Sequence, residues 1–155
     1  KHLPADLKNT HQLVVVGHTQ GEGFEKLKDF VASEDMTEKV VFTGRVTDQE
    51  LSKLYSGAKL FVCSSLYEGF GLPVLEAMKC GIPVISYNNS SLPEVVGDAG
   101  ILVNNISELS KAMQDVLENK KLQNKLRGKG LKQSALFSWK KTALNFINVL
   151  SQGEK

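Results

Sequence analysis

Two carboxylates, Glu68 and Glu76, stand eight residues apart around Gly69-Phe70-Gly71-Leu72-Pro73. Gly69 and Gly71 carry no Cβ, so the backbone there can approach a ligand closely. Pro73 suits the first position of a helix, where its missing N–H costs nothing. The free amides just ahead of it then point out of a helix N-terminus, and the dipole favours an anion there. Such a turn can hold a phosphate or a sugar hydroxyl. Glu76 falls in the first turn of that helix, among Val74, Leu75, Ala77 and Met78. A helix apolar nearly all round is a buried one, and a carboxylate on it needs donors. An ionised carboxylate only accepts hydrogen bonds, and a ribose diol supplies two donors side by side. The helix dipole alone is an equal explanation for a first-turn Glu. Glu68, in the loop, is placed to meet hydroxyls of a second ligand part or a developing positive charge. Taken alone it reads as a solvated loop residue, and the glycines and Pro73 around it turn the reading toward a site.

The elements that must position this turn are legible from the hydrophobic pattern. Leu13-Val14-Val15-Val16, Val40-Val41-Phe42-Thr43, Leu60-Phe61-Val62-Cys63, Pro83-Val84-Ile85-Ser86 and Ile101-Leu102-Val103 are short apolar runs. Between them lie helical patterns: Phe24 to Glu34, Gln49 to Ser56 behind an Asp48 N-cap, and Pro73 to Cys80 closed by Gly81. Apolar strands alternating with helices imply a parallel sheet covered on both faces, a Rossmann-like doubly wound α/β domain. The Glu68 turn follows strand 60–63 at its carboxyl end, the edge where such sheets bind ligands. After Val103, three amphipathic helices are expected over Ser107 to Leu117, Leu122 to Leu131 and Ser138 to Leu150.

Composition excludes several classes. The 155 residues fit one domain, and 41% hydrophobic with 23% charged residues is globular. No run approaches the roughly 18 apolar residues of a membrane span. The opening KHLPADLKNT has no apolar signal core. Nineteen basic and 17 acidic residues, net +2, point to no nucleic-acid partner. Cys63 and Cys80 lack CxxC spacing and read as small buried hydrophobes of a reducing cytoplasm. His2, His11 and His18 lack metal-ligand spacing, and Ser64, Ser65, Ser90 and Ser91 lack a nucleophile elbow. Gly17, Gly21 and Gly23 form neither the dinucleotide fingerprint nor a P-loop. They mark a helix entry, or ligand contact through Gly17 and His18. From Asn119 to Gly153 there is no acidic residue, but there are Lys120, Lys121, Lys125, Arg127, Lys129, Lys132, Lys140 and Lys141. A solvated helical face explains them, and peripheral docking on an anionic membrane is the sharper alternative.

Glu68-Gly-Phe-Gly-Leu-Pro-Val-Leu-Glu76-Ala-Met resembles the E-x7-E signature of the retaining GT-B glycosyltransferases of family 4, the group 1 transferases. The resemblance runs in order through Leu13 to Gly17, Val41-Phe-Thr-Gly-Arg-Val46, Glu50-Leu51 with Leu54-Tyr55, and Leu60 to Ser65. It continues through Gly81-Ile-Pro-Val84, Leu92-Pro-Glu-Val-Val-Gly97, Gly100 to Val103 and Phe137-Ser-Trp139. It implies a domain over 1–155 that binds a nucleotide-diphosphate sugar donor. By resemblance, Glu76 accepts from the ribose and Glu68 is the catalytic carboxylate near the reacting sugar carbon. The amides of Phe70, Gly71 and Leu72 hold sugar hydroxyls and the distal phosphate. Arg45 and Val46 lie beside the nucleobase. Transfer is expected to retain the anomeric configuration, the leaving diphosphate helping as base. No metal or cofactor is expected, and no D-x-D motif is present.

The family pattern also has a strand and a diphosphate-binding loop before the segment that opens this chain, and an acceptor-binding N-terminal domain. The chain is therefore expected to be a donor domain incomplete at its N-terminus, inactive alone. In the strand order 3-2-1-4-5-6 the missing strand is central, flanked by 13–16 and 60–63. Another chain segment is expected to fill that place. A nucleotide-sugar-binding module without turnover is the competing reading. A flavodoxin-like or receiver-like domain would need an acidic cluster or a flavin loop, and neither is found.

Overall fold

Among residues 2–152, which a computed structural model describes, every strand pairing is parallel, in two separate sheets. β1 (Leu13–Val16) pairs with β2 (Val40–Gly44). β3 (Phe61–Cys63), β4 (Val84–Tyr87) and β5 (Ile101–Val103) pair in that order. β1 and β3 share no pairing, so the neighbours are those of a 3-2-1-4-5-6 sheet with its central position open.

The helices follow the expected alternation. α2 (Glu22–Ser33) joins β1 to β2, α3 (Asp48–Gly57) joins β2 to β3, and α4 (Leu72–Lys79) joins β3 to β4. α6 (Ile106–Glu118), α7 (Lys120–Ser134) and α8 (Trp139–Gln152) follow β5. Three short elements carry too few residues to show a period: α1 (Ala5–Thr10), a 3-10 turn at Thr37–Lys39 and α5 (Leu92–Val96). Two helix starts differ from expectation. Thr47, not Asp48, caps α3, because its hydroxyl accepts from the Glu50 N–H while the Glu50 carboxylate accepts from the Thr47 N–H, a reciprocal capping box. α4 begins at Leu72, and Pro73 takes its second position, because Gly71 supplies the left-handed turn one residue earlier.

The core is built around β3-β4-β5. Successive residues of β4 face opposite ways. Val84 joins Val74, Leu75, Ala77 and Met78 of α4 and Leu92, Val95 and Val96 of α5. Ile85 joins Val103, Ala112 and Val116 of α6 and Leu126 of α7. Gly100 is where β5 must pass close by: a Cβ there would lie 2.8 Å from both the Val84 carbonyl oxygen and Val96 Cγ1. α7 is tied down by Arg127, whose Nε donates to the Gly81 carbonyl at 2.7 Å.

The first sheet is different. Coverage of both faces was expected for every strand, but Leu13, Val14, Val16 and Val41 are exposed, as are Leu27 and Phe30 of α2. The physical reason is thin covering: the helices beside this sheet pack on it less closely than α4 to α7 pack around β4 and β5. Cys63 is buried as expected, Cys80 only half-buried, and both are free thiols. The basic stretch is not a uniform solvated face either. Besides Arg127, Lys129 is engaged with Asp98 at 2.5 Å, and the Lys141 ammonium donates to the Leu136 carbonyl. Its last residue, Gly153, lies outside the described residues. None of the described helices is long and apolar enough to cross a membrane.

Candidate functional site

The loop from β3 to α4 is held in one shape by its neighbours. The Glu68 N–H donates to Ser90 Oγ at 3.0 Å, and Ser91 Oγ donates to the Glu68 carbonyl at 2.9 Å. Asn89 donates to the Ser65 carbonyl at 3.1 Å. Ser90 has φ +46°, a left-handed conformation unusual for serine, which the Asn89 and Glu68 contacts hold. The backbone of Glu68 is thus gripped on both sides, while its carboxylate makes no bond within the described protein. Sequence reading treated Ser90 and Ser91 only as failed nucleophiles. A serine pair just ahead of Leu92-Pro93 was the available signal, since such serines bond locally at helix starts.

Gly71 is the pivot. Its φ is +95°, and a Cβ would meet Leu92 Cδ2 at 2.9 Å, so both torsion and space require glycine. Gly69 has open space around it, so the fold itself demands glycine only at Gly71. The N–H groups of Phe70, Gly71 and Leu72 find no acceptor among the described residues, and they stand at the start of α4. Phe70 stands edge-on to Phe137, ring centroids 5.9 Å apart, which fixes the loop from the far end of the chain.

Glu76 corrects an expectation. It is exposed, not buried, because α4 buries Val74, Leu75, Ala77 and Met78 and turns the Glu76 face outward. Its partner is Tyr55 of α3, whose hydroxyl donates to Glu76 Oε2 and also approaches the Pro73 carbonyl, both at 3.4 Å. No lysine or arginine among the described residues forms an ion pair with it. Tyr55 is buried, and desolvation first, then the Glu76 charge, push its phenol above the ordinary value of 10. The phenol therefore stays a donor, and the exposed carboxylate keeps lone pairs for other hydroxyls.

Gly17, Arg45 and Val46 form a second group at the carboxyl ends of β1 and β2. Gly17 N–H donates to the Gly44 carbonyl at 3.2 Å. The Arg45 guanidinium meets His18 Nε2, at 2.6 Å from Nη2. A cavity of about 250 Å³ beside it is lined by Gly17, His18, Thr19, Phe24 and Phe42. No hydrogen bond or ion pair among the described residues joins this group to the Glu68–Glu76 segment. His18 is the residue that sequence reading left open and the structure adds to it.

The family model described as glycosyl transferases group 1 matches residues 1–133. The chain belongs to the group 1 glycosyltransferases. Relatives agree with that membership. The serotype-specific mannosyltransferase WbdA of Escherichia coli is 39% identical over 144 residues, 91% of this chain and 18% of WbdA. O-antigen chain mannosyltransferase B of the same organism is 36% identical over 148 residues, 94% of this chain and 39% of the relative. Among solved structures, sucrose-phosphate synthase of Thermosynechococcus elongatus superposes with a TM-score of 0.82 at 30% identity, over 91% of this chain and 38% of the other. Anabaena HepE, solved with UDP-glucose, has the same fold at 21% identity, TM-score 0.81, over 91% of this chain and 41% of its own. This group 1 transferase chain thus spans well under half the length of these relatives.

Proposed function

We propose that the chain is the nucleotide-sugar donor half of a retaining glycosyltransferase. The observation that carries the reading is the start of α4: three unpaired backbone amides beside an exposed carboxylate that a buried tyrosine hydroxyl orients. Glu76 accepts from the ribose diol on the lone pairs that Tyr55 leaves free. The amides of Phe70, Gly71 and Leu72 take the distal phosphate and sugar hydroxyls, helped by the helix dipole. Glu68, its backbone gripped by Ser90 and Ser91, presents its carboxylate to the donor sugar near the reacting carbon. Arg45 and Val46 lie beside the nucleobase, and Gly17 contacts the donor. Attack comes from the face the diphosphate leaves, and the departing phosphate oxygen accepts the acceptor's proton. No resident metal or cofactor takes part.

The acceptor-binding domain, and a strand inserting between β1 and β3, come from elsewhere in the parent protein. The bare apolar edge of β1 supports the second point. This chain alone is then inactive. Its parent works in the cytoplasm, with peripheral membrane contact through α8, whose Trp139, Phe146, Ile147 and Val149 are exposed beside Lys140 and Lys141. Family membership, two relatives named mannosyltransferases and a fold neighbour solved with UDP-glucose support the donor class.

Titration calorimetry with UDP, GDP, UDP-glucose and a nucleoside-diphosphate mannose tests this. Binding of one of them, weakened about tenfold or more by Glu76→Ala, is expected. Absence of binding by all four sinks the donor reading. In the parent protein, Glu68→Ala should abolish transfer, and proton NMR of the first product should show the donor's anomeric configuration. A parent that binds nucleotide sugar yet transfers nothing would be a binding module.

A further inference from the structure

A second groove opens on the carboxyl edge of the sheet, on the other side of the Glu68 loop. It encloses about 600 Å³, within the size range of small-molecule sites. Leu66 forms one wall, and Asn88, Asn89, Asn104, Asn105 and Ile106 form the rest of the surface that matters. The amides are not loosely arrayed. Asn88 Nδ2 donates to Asn104 Oδ1 at 3.1 Å. Asn104 in turn donates to Glu108 Oε2 from both its backbone and its side chain, at 2.8 and 3.1 Å. Asn105 donates to Glu108 Oε1 at 2.8 Å. Asn105 Oδ1 also accepts from the Glu108 N–H at 2.9 Å, so the same bonds cap α6 and fix the direction of the Asn104 and Asn105 amides. Asn88 keeps its carbonyl oxygen and one amide hydrogen without a partner among the described residues, and it is exposed.

The chemistry of the lining selects a class. No lysine, arginine or histidine among the described residues lines the groove, and the charge bonded into its wall is negative, which disfavours a phosphate. A side-chain amide presents donor and acceptor together, the match for a sugar hydroxyl that also does both. Leu66 and Ile106, 85% and 59% exposed, offer apolar surface to the C–H face of a sugar ring. The groove also shares a wall with the site already described: Asn89 holds the Ser65 carbonyl, and the next residue, Ser90, holds Glu68.

We propose that this groove is a carbohydrate subsite for a neutral sugar residue of the acceptor, bound through Asn88 and Asn104 with its ring against Leu66 and Ile106. That the sugar belongs to the acceptor rests on the transferase reading. That the groove takes a neutral sugar does not.

NMR of the 15N-labelled chain, titrated with methyl α-mannopyranoside, mannotriose and inorganic phosphate, tests it. The two sugars should move the side-chain amide signals of Asn88 and Asn104, saturating at about millimolar concentration. Asn88→Ala and, independently, Leu66→Ser should each weaken binding about tenfold. Leu66 is almost fully exposed, so that variant keeps the fold. Sugars that leave those signals unmoved, variants that bind as well as the unaltered chain, or phosphate binding there in preference to sugar would each overturn the proposal. A nucleoside diphosphate added to the same sample reads the other site through the N–H signals of Phe70 to Leu72. Saccharide binding without nucleotide binding sinks the donor reading and leaves the groove standing; the reverse sinks the groove alone.

Discussion

Glu76 keeps the company of one hydroxyl. Tyr55 holds Oε2 without neutralising the charge, so the carboxylate is oriented but still anionic. Tyr55→Phe removes that hold and should weaken nucleotide binding less than Glu76→Ala does, by about threefold to tenfold, roughly one hydrogen bond. The phenol has its own signature. Its folded value is raised, so the protein releases that proton only above the ordinary value of 10, and any stability it contributes is complete below pH 10 and falls as pH rises beyond it. An absorbance titration near 295 nm should contain a tyrosinate step above pH 10 that is absent from Tyr55→Phe. Gly71 is equally specific. A left-handed torsion costs a non-glycine residue about 1–3 kcal/mol, and the Leu92 contact adds to it. Gly71→Ala should therefore lower the urea midpoint and blunt nucleotide binding together, while Gly69→Ala, in open space, should leave the fold unchanged.

Element boundaries show what a single sequence can and cannot carry. β1, β5 and the long helices were readable because apolar runs and a helical period repeat over enough residues. α5, five residues long, shows no period, and the seat of Glu68 on Ser90 and Ser91 joins segments over twenty residues apart. The candidate segment was readable as a spacing, since Glu68, Gly71, Pro73 and Glu76 are near in sequence. Burial of Glu76 was misjudged because it depends on which face α4 turns to β4. Thr47 was missed for the adjacent Asp48, although Glu50 three residues on was the better clue. Thr47→Ala should cost about 1 kcal/mol in chemical denaturation. Glu50 is held below its ordinary 4.5 by the Thr47 backbone and hydroxyl, so the box stays closed above that pH and opens as pH falls through the lowered value. Amide exchange at Glu50 measured across that range should rise only on the acid side.

At the level of the molecule, the buried core sits in β3-β4-β5 and the helices around it, and the β1-β2 sheet is thinly covered. The chain on its own should therefore associate. Sedimentation velocity should show concentration-dependent oligomers, reduced by Val14→Lys or Val16→Lys on the bare strand. Vesicle flotation separates that behaviour from membrane affinity: anionic vesicles should retain the chain more than neutral ones, and Trp139→Ala should abolish the difference. Arg127 and Lys129, engaged within the fold, should matter little to it. Chelation with EDTA should leave turnover of the parent unchanged.

The edge-on contact of Phe137 with Phe70 makes a joint between distant parts of the chain. Phe137 stands two residues before Trp139, where the last helix starts to leave the body of the protein. If a partner displaces α8, this ring contact is the route by which Phe70, and with it the loop ahead of α4, would feel the displacement. In the proposed donor site, a change at that helix would then act on sugar-nucleotide binding through an apolar contact alone.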